Sequence, residues 1–310
     1  MIAFVARRLV HAVPVLVGIT LVAFLLIRLI PGDPVQVMLG MHATPDRVAS
    51  LRAQLHLDQP LPAQYVSFVA GAVTFDLGDS IALKGAIAPI LAGRIGVTAA
   101  LLAYAVIISL IVAVPLAVLS AIRRNRWPDH VIRLFSTVTF AMPAFWLGLI
   151  LILVFALELG WFPTSGLGRD LLGLVRGLTL PAITIGLYLA PILLRTLRSS
   201  LVETLNAEYI EAARARGLTE RRVVLKHVMR NSLIAMITVL GVNVGFLISG
   251  SVIIENVFAI PGLGSLLVSS ILARDFPVIT ALTLVFGVAV ILVNLLTDLS
   301  YAALDPRVRL

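Results

Sequence analysis

Residues 97–122 read VTAALLAYAVIISLIVAVPLAVLSAI, 26 residues without a charged side chain. A helix crossing the hydrocarbon core of a bilayer needs about 20 mostly apolar residues, so this stretch is predicted to span. Five more runs meet the same test, near 9–30, 131–157, 178–197, 232–255 and 277–302. The whole chain agrees with that reading: 60% of its 310 residues are hydrophobic and 13% charged, against roughly 45–50% and 25% in soluble domains. The mean hydropathy is +1.06. The expected fold is an all-α integral membrane protein with six transmembrane helices. The first run follows Arg7-Arg8 and lacks a small-residue cleavage site, so 1–30 reads as a retained anchor helix rather than a signal peptide. The chain has no cysteine, which excludes disulfides and thiolate metal sites.

Charge orients the spans. The N-terminus, the 123–130 loop, the 195–231 loop and the C-terminus, with adjoining helix ends, hold 16 of the 24 basic and 7 of the 16 acidic residues. That leaves 8 basic and 9 acidic residues on the other side, so the two sides carry +9 and −1 of the net +8. Short translocated loops avoid Lys and Arg, so the first side is expected to be cytoplasmic, with both termini inside. The basic excess is then a topology signal, and a nucleic-acid partner is not expected.

Two loops are longer than connections need to be. Residues 31–96 form the expected extracytoplasmic segment. There, Thr44-Pro45-Asp46 reads as a helix start, with Thr44 as N-cap and Pro45 at the first helical position. Val48, Leu51 and Leu55 follow at helical spacing, and a second amphipathic stretch runs from Pro62 to about Thr74. These features suit a helical cap that stabilises the outer face. They also suit a docking surface for a soluble partner.

The second long loop, 195–231, contains Glu208-Tyr209-Ile210-Glu211-Ala212-Ala213-Arg214-Ala215-Arg216-Gly217. Glu208 and Glu211 fall in the first turn of a short helix and Arg214 and Arg216 in its last, where the helix dipole favours each sign. Gly217 is a natural residue to follow the C-cap, and Thr219 is placed to start a second helix running toward Asn231. Ala212, Ala213 and Ala215 leave a low surface that another protein can approach closely. On residue chemistry alone this is either an ordinary surface elbow or a short helix built to enter a partner's groove.

Glu211-Ala212-Ala213, with Gly217 four positions on, resembles the EAA loop of ABC importer permeases. The fuller string Glu208 to Gly217, followed by His227-Val228-Met229-Arg230-Asn231, is similar to the dipeptide/oligopeptide (peptide/nickel) branch. Further resemblances to that branch lie at Pro31-Gly32-Asp33-Pro34, Met142-Pro143 through Gly148, Glu255 through Gly264, Arg274-Asp275-Phe276-Pro277, Asp298 through Tyr301 and Asp305-Pro306-Arg307. One departure stands out: the broad EAA pattern closes on Ile-x-Leu-Pro, where this chain has His227, Val228, Met229 and Arg230.

The resemblance implies a type I ABC importer permease in a bacterial inner membrane, forming half of a pore for di- or oligopeptides. It implies a permease core over 97–310, with a coupling helix (Glu208, Tyr209, Glu211, Ala212, Ala213, Arg214, Gly217) that seats in an ATPase cleft. It also implies a homologous second permease, two cytoplasmic ATPase subunits holding ATP and magnesium, and an extracytoplasmic solute-binding protein. The branch includes nickel and other small-solute importers, so those cargoes stay open.

The rest of the sequence is consistent with a non-enzymatic subunit. Lys84 and Lys226 follow leucines, so there is no Gly-Lys-Ser/Thr phosphate loop, and HExxH and GxSxG are absent. The five histidines are scattered. Arg28 and Glu158 sit at outer span ends, where snorkelling explains them. Asn243, Ser249, Asn294 and Asp298 lie within spans and read either as helix–helix glue among small residues or as pathway lining. Asp298 is also within reach of pairing with Arg307 or Arg309. The competing reading is a free-standing secondary transporter or channel, but the chain shows neither an internal repeat nor a midplane acidic cluster.

Overall fold

The structure, a computed structural model, describes residues 2–29, 32–55 and 57–304. Asp305, Pro306, Arg307 and Arg309 lie outside the described residues, as does Pro31. Among the described residues, four helical segments are long and apolar enough to cross a membrane alone: α5 (Ile87–Ile122), α8 (Leu171–Leu205), Glu220–Val257 and the Phe276–Ser300 part of α13 (Phe276–Leu304). The first apolar run forms α1 (Ile2–Leu26), of which Val10–Leu26 is a shorter apolar helix.

The run expected as one span at 131–157 is not a straight helix. It is α6 (Trp127–Ala141) and α7 (Ala144–Leu151), extended by a wide turn over Ile152–Glu158, and the two halves are bent by 103°. Pro143 causes the break. Its ring disfavours the helical conformation at the preceding residue, and Met142 is extended at φ −83°, ψ 133°. The proline also lacks the N–H that would continue the ladder.

Two helices outrun the apolar stretches that announced them. α5 begins at Ile87, ten residues before the expected 97, and α8 covers 171–205 rather than 178–197. At 1.5 Å per residue each is more than 50 Å long, roughly, against about 30 Å of hydrocarbon. Their ends therefore extend into the aqueous boundary.

Contacts divide the chain into two units. One comprises 1–97 and 262–291. Its short helices are α2 (Pro34–Leu39), α3 (Pro45–Gln54) and α4 (Leu61–Thr74), together with α12 (Leu263–Leu272). Thr44 and Pro45 start α3 as expected from the sequence, although the Thr44 side chain makes no capping bond. Val35, Met38 and Leu51 form a small core there. A two-residue hairpin, β1 (Asp79–Ser80) against β2 (Gly85–Ala86), is pinned by the buried Asp275. That carboxylate accepts from Ser80 Oγ at 2.5 Å and from the Ala82 N–H at 3.0 Å.

The other unit comprises 98–261 and 292–310. α8 is its central helix: 72% of its most apolar stretch is buried, against 33% for α5 and 28% for Glu220–Val257. Close approach is set at two glycines. A Cβ on Gly148 would meet the Phe258 ring at 3.1 Å, and one on Gly186 would meet the Ala105 carbonyl oxygen at 2.9 Å. The buried Glu255 accepts from Thr98 Oγ1 at 2.7 Å, beneath the turn that follows α11 (Met229–Val257).

Candidate functional site

The elbow between α8 and α11 is built from local rules. α8 stops at Asn206, whose Nδ2 donates back to the Val202 carbonyl at 3.0 Å. Ala207 is extended, and α9 (Glu208–Ala215) follows, with Glu208 and Glu211 in its first turn and Arg214 in its last. At its end the Gly217 N–H donates to the Arg214 carbonyl (2.9 Å) and the Leu218 N–H to the Ala213 carbonyl (3.4 Å). This pair of bonds is a Schellman closure, which needs a left-handed residue after the cap, and Gly217 supplies it at φ +80°. Thr219 then begins α10 (Glu220–Arg222) from an extended conformation.

Ile210 holds α9 down. It is fully buried, and α9 packs on the wide turn Val223–Val228, where Val223, Val224 and Val228 are also buried. The Asn231 Nδ2 donates to Tyr209 Oη at 3.0 Å, and the Arg214 guanidinium meets Glu220 at 2.7 Å. The opposite face is open: Glu208, Glu211, Ala212, Ala215 and Arg216 are exposed, Tyr209 is 47% exposed, and Ala213 is half-buried. The result is a two-turn rod fixed on one side, presenting acid at its start, small residues along its middle and guanidinium at its end.

Seven residues before α8 ends lies a feature that sequence reading missed. The carboxylate of Asp129, fully buried, receives Arg198 through two nitrogens, Nε at 2.9 Å and Nη2 at 2.7 Å. It also accepts from Ser120 Oγ at 2.5 Å and from the Asn125 N–H at 2.9 Å. Residues from α5, the following turn, α6 and α8 thus close on one carboxylate. A buried charge is tolerated only when paired and hydrogen-bonded, and here each carboxylate oxygen has at least two donors. The available signal was that Asp129 is the sole acid among Arg123, Arg124, Arg126 and Arg133.

The intramembrane polar residues are arranged differently. Asn243 Nδ2 donates to the Val239 carbonyl of its own helix at 2.7 Å. Ser249 and Asn294 are exposed, while Asp298 is half-buried and engaged. Close packing occurs instead at Gly241, against Thr297. The expected partners of Asp298, Arg307 and Arg309, lie outside the described residues. Glu158 is exposed at the end of its wide turn, whereas Arg28 folds back to donate to the Phe24 carbonyl. Among the described residues no group of three or more His, Asp or Glu side chains could hold a metal.

Residues 113–310 match the family described as binding-protein-dependent transport system inner membrane component, and residues 1–117 match the N-terminal domain of the same kind of protein. The glutathione transport system permease protein GsiC of Escherichia coli K12 is 38% identical over 309 residues, covering 100% of this chain and 99% of the relative. A Brucella ovis protein named as a peptide permease is 37% identical over 317 residues, with the same coverage. Among solved structures, an inward-facing MetNI methionine ABC transporter matches 70% of this chain and 96% of its own with a TM-score of 0.58 at 19% identity. An amino acid ABC transporter matches 69% and 94% with a TM-score of 0.54 at 16% identity. Those two likenesses concern the fold.

Proposed function

The chain belongs to the family of binding-protein-dependent transport system inner membrane components, the permease subunits of ABC importers, and from that premise we propose that it forms half of a peptide-conducting pore driven through the elbow at 207–217. The observation that carries the coupling role is the two-sidedness of α9. One face is fixed by buried Ile210, and the other is left open with small residues between charged ends. A groove on a cytoplasmic ATPase would take the open face, with Glu208 and Glu211 at one end and Arg216 at the other. Closure of the ATPase pair around ATP and magnesium would then displace α9 together with the helices it joins, α8 and α11. Rigid-body displacement of this kind alternates the access of a pore between two sides.

The peptide cargo is proposed from the names of the relatives, glutathione being itself a tripeptide. A solute-binding protein would deliver the cargo at the 31–96 side, and a second homologous permease would complete the pore. The orientation with both termini cytoplasmic is proposed from the charge asymmetry.

The test is uptake and ATP hydrolysis in proteoliposomes holding the complete importer. Gly217→Pro cannot adopt φ +80° and removes the N–H that closes α9 on Arg214. Glu211→Arg reverses the charge at the open face. Each variant is expected to assemble at normal level yet hydrolyse ATP without moving solute. Normal uptake with both changes would overturn the coupling role. A pull-down from solubilised membranes that reproducibly recovers this chain alone would overturn the importer assembly.

A further inference from the structure

Arg28 follows directly on the apolar part of α1, at the level where α13 also begins its apolar course at Phe276. Its guanidinium does not extend freely into water. Nη1 donates to the Phe24 carbonyl at 2.6 Å, Nη2 donates to Gln64 Oε1, and the group lies over the Phe24 ring at 3.4 Å. Nε is shielded from solvent without any hydrogen-bond partner, and so is Thr280 Oγ1. Both residues line one cavity of about 290 Å³, together with Gln64, Phe68, Ala72 and Leu284. No carboxylate among the described residues pairs with Arg28. Asp76, which also lines the cavity, is hydrogen-bonded to the Gly78 N–H.

We propose that this cavity binds the phosphodiester headgroup of a membrane phospholipid, with Arg28 as its anion contact. Three observations converge on that occupant. A guanidinium in a partly apolar pocket without a counter-ion is an incomplete pair, and its planar fork matches a phosphate. The cavity lies where the apolar part of α1 ends and that of α13 begins, the part of a membrane helix that meets the lipid phosphates. Its mixed lining, polar at Arg28 and Gln64 and apolar at Phe68 and Leu284, suits a phosphate joined to glycerol and the first acyl carbons. Its size is at the low end of small-molecule sites, roughly 300 Å³ upward, so it accepts a headgroup and not a folded peptide. This inference does not depend on the transported cargo.

Native mass spectrometry of the purified full chain tests it, using added phosphatidylglycerol and phosphatidylethanolamine. The wild-type chain is expected to retain one phospholipid through a delipidating detergent wash. Arg28→Gln should lower that occupancy about tenfold, the loss of one charge-assisted contact. Ala72→Phe keeps the charge and fills the cavity, and it should lower occupancy to the same degree. Added lipid should raise the unfolding temperature of the wild-type chain and of neither variant. Equal retention by all three chains would overturn the proposal. So would binding of inorganic phosphate alone that displaces the lipid completely, because the ligand would then be a free anion.

Discussion

The elbow at 207–231 and the carboxylate cluster at Asp129 both use ionic contacts near the C-terminal part of α8, yet they are built to opposite specifications. In the cluster, four hydrogen bonds from Arg198, Ser120 and Asn125, with Arg133 Nε at 3.6 Å, converge on a carboxylate with no exposure. In the elbow, the ion pair Arg214–Glu220 is open to solvent at both partners, and the bond from Asn231 reaches an exposed Tyr209. A buried pair is costly to break from one side, whereas an exposed pair is nearly neutral. The difference separates two tasks. The cluster ties α5, α6 and α8 together through one buried carboxylate, while the elbow leaves one face of α9 exposed.

The contrast can be broken experimentally, beginning with its strongest member. Asp129→Ala leaves Arg198 without its carboxylate and should cost about 3–5 kcal/mol. The expected readout is a large fall in unfolding temperature in detergent, or failure to accumulate. Loss of no more than the elbow variants lose would erase the distinction. Gly148→Val comes next: its side chain would press on Phe258 and Thr184, and overpacking of this kind costs about 1–3 kcal/mol. Gly217→Val is smaller in stability, since space around Gly217 is open and only the left-handed backbone opposes it, at about 1–2 kcal/mol. Its effect on uptake should nevertheless exceed that of Gly148→Val. Arg214→Ala should be the mildest, about 0.2–1 kcal/mol, and diminish further in high salt. A thermal-shift series on the four purified chains gives the order directly.

What the sequence disclosed follows the range of the interactions involved. Apolar runs and local caps are properties of neighbouring residues, so four of the six expected spans, the α3 start at Thr44-Pro45 and the Gly217 closure were legible. Met142-Pro143 was read as a family resemblance and not as a break, although the proline's effect on its predecessor is local and was available. The extra length of α5 and α8 was hidden because hydropathy reports where a helix meets lipid and not where the helix ends. The Asp129–Arg198 pair joins residues 69 positions apart, and no periodicity predicts such a meeting. Likewise Asp275 reaches the hairpin across 195 positions. Arg28 was assigned to the water boundary because its sequence position gave no sign of the cavity beside it.

The wide turn at Val223–Val228 has a further consequence for the helix it opens. The Met229 N–H reaches back five residues, to the Val224 carbonyl, rather than four, so the hydrogen-bonded loop here encloses one more residue than that of an α-helix. Each residue advances a helix by about 100°. Everything downstream of the turn, including Asn231, is therefore presented at an angle that an uninterrupted α-helix from Glu220 would not give. The turn acts as a phase adjustment between two stretches of one rod. Removing the exposed Leu225 would take out the residue that the wide turn absorbs, restoring the ordinary pitch with Asn231 still facing Tyr209.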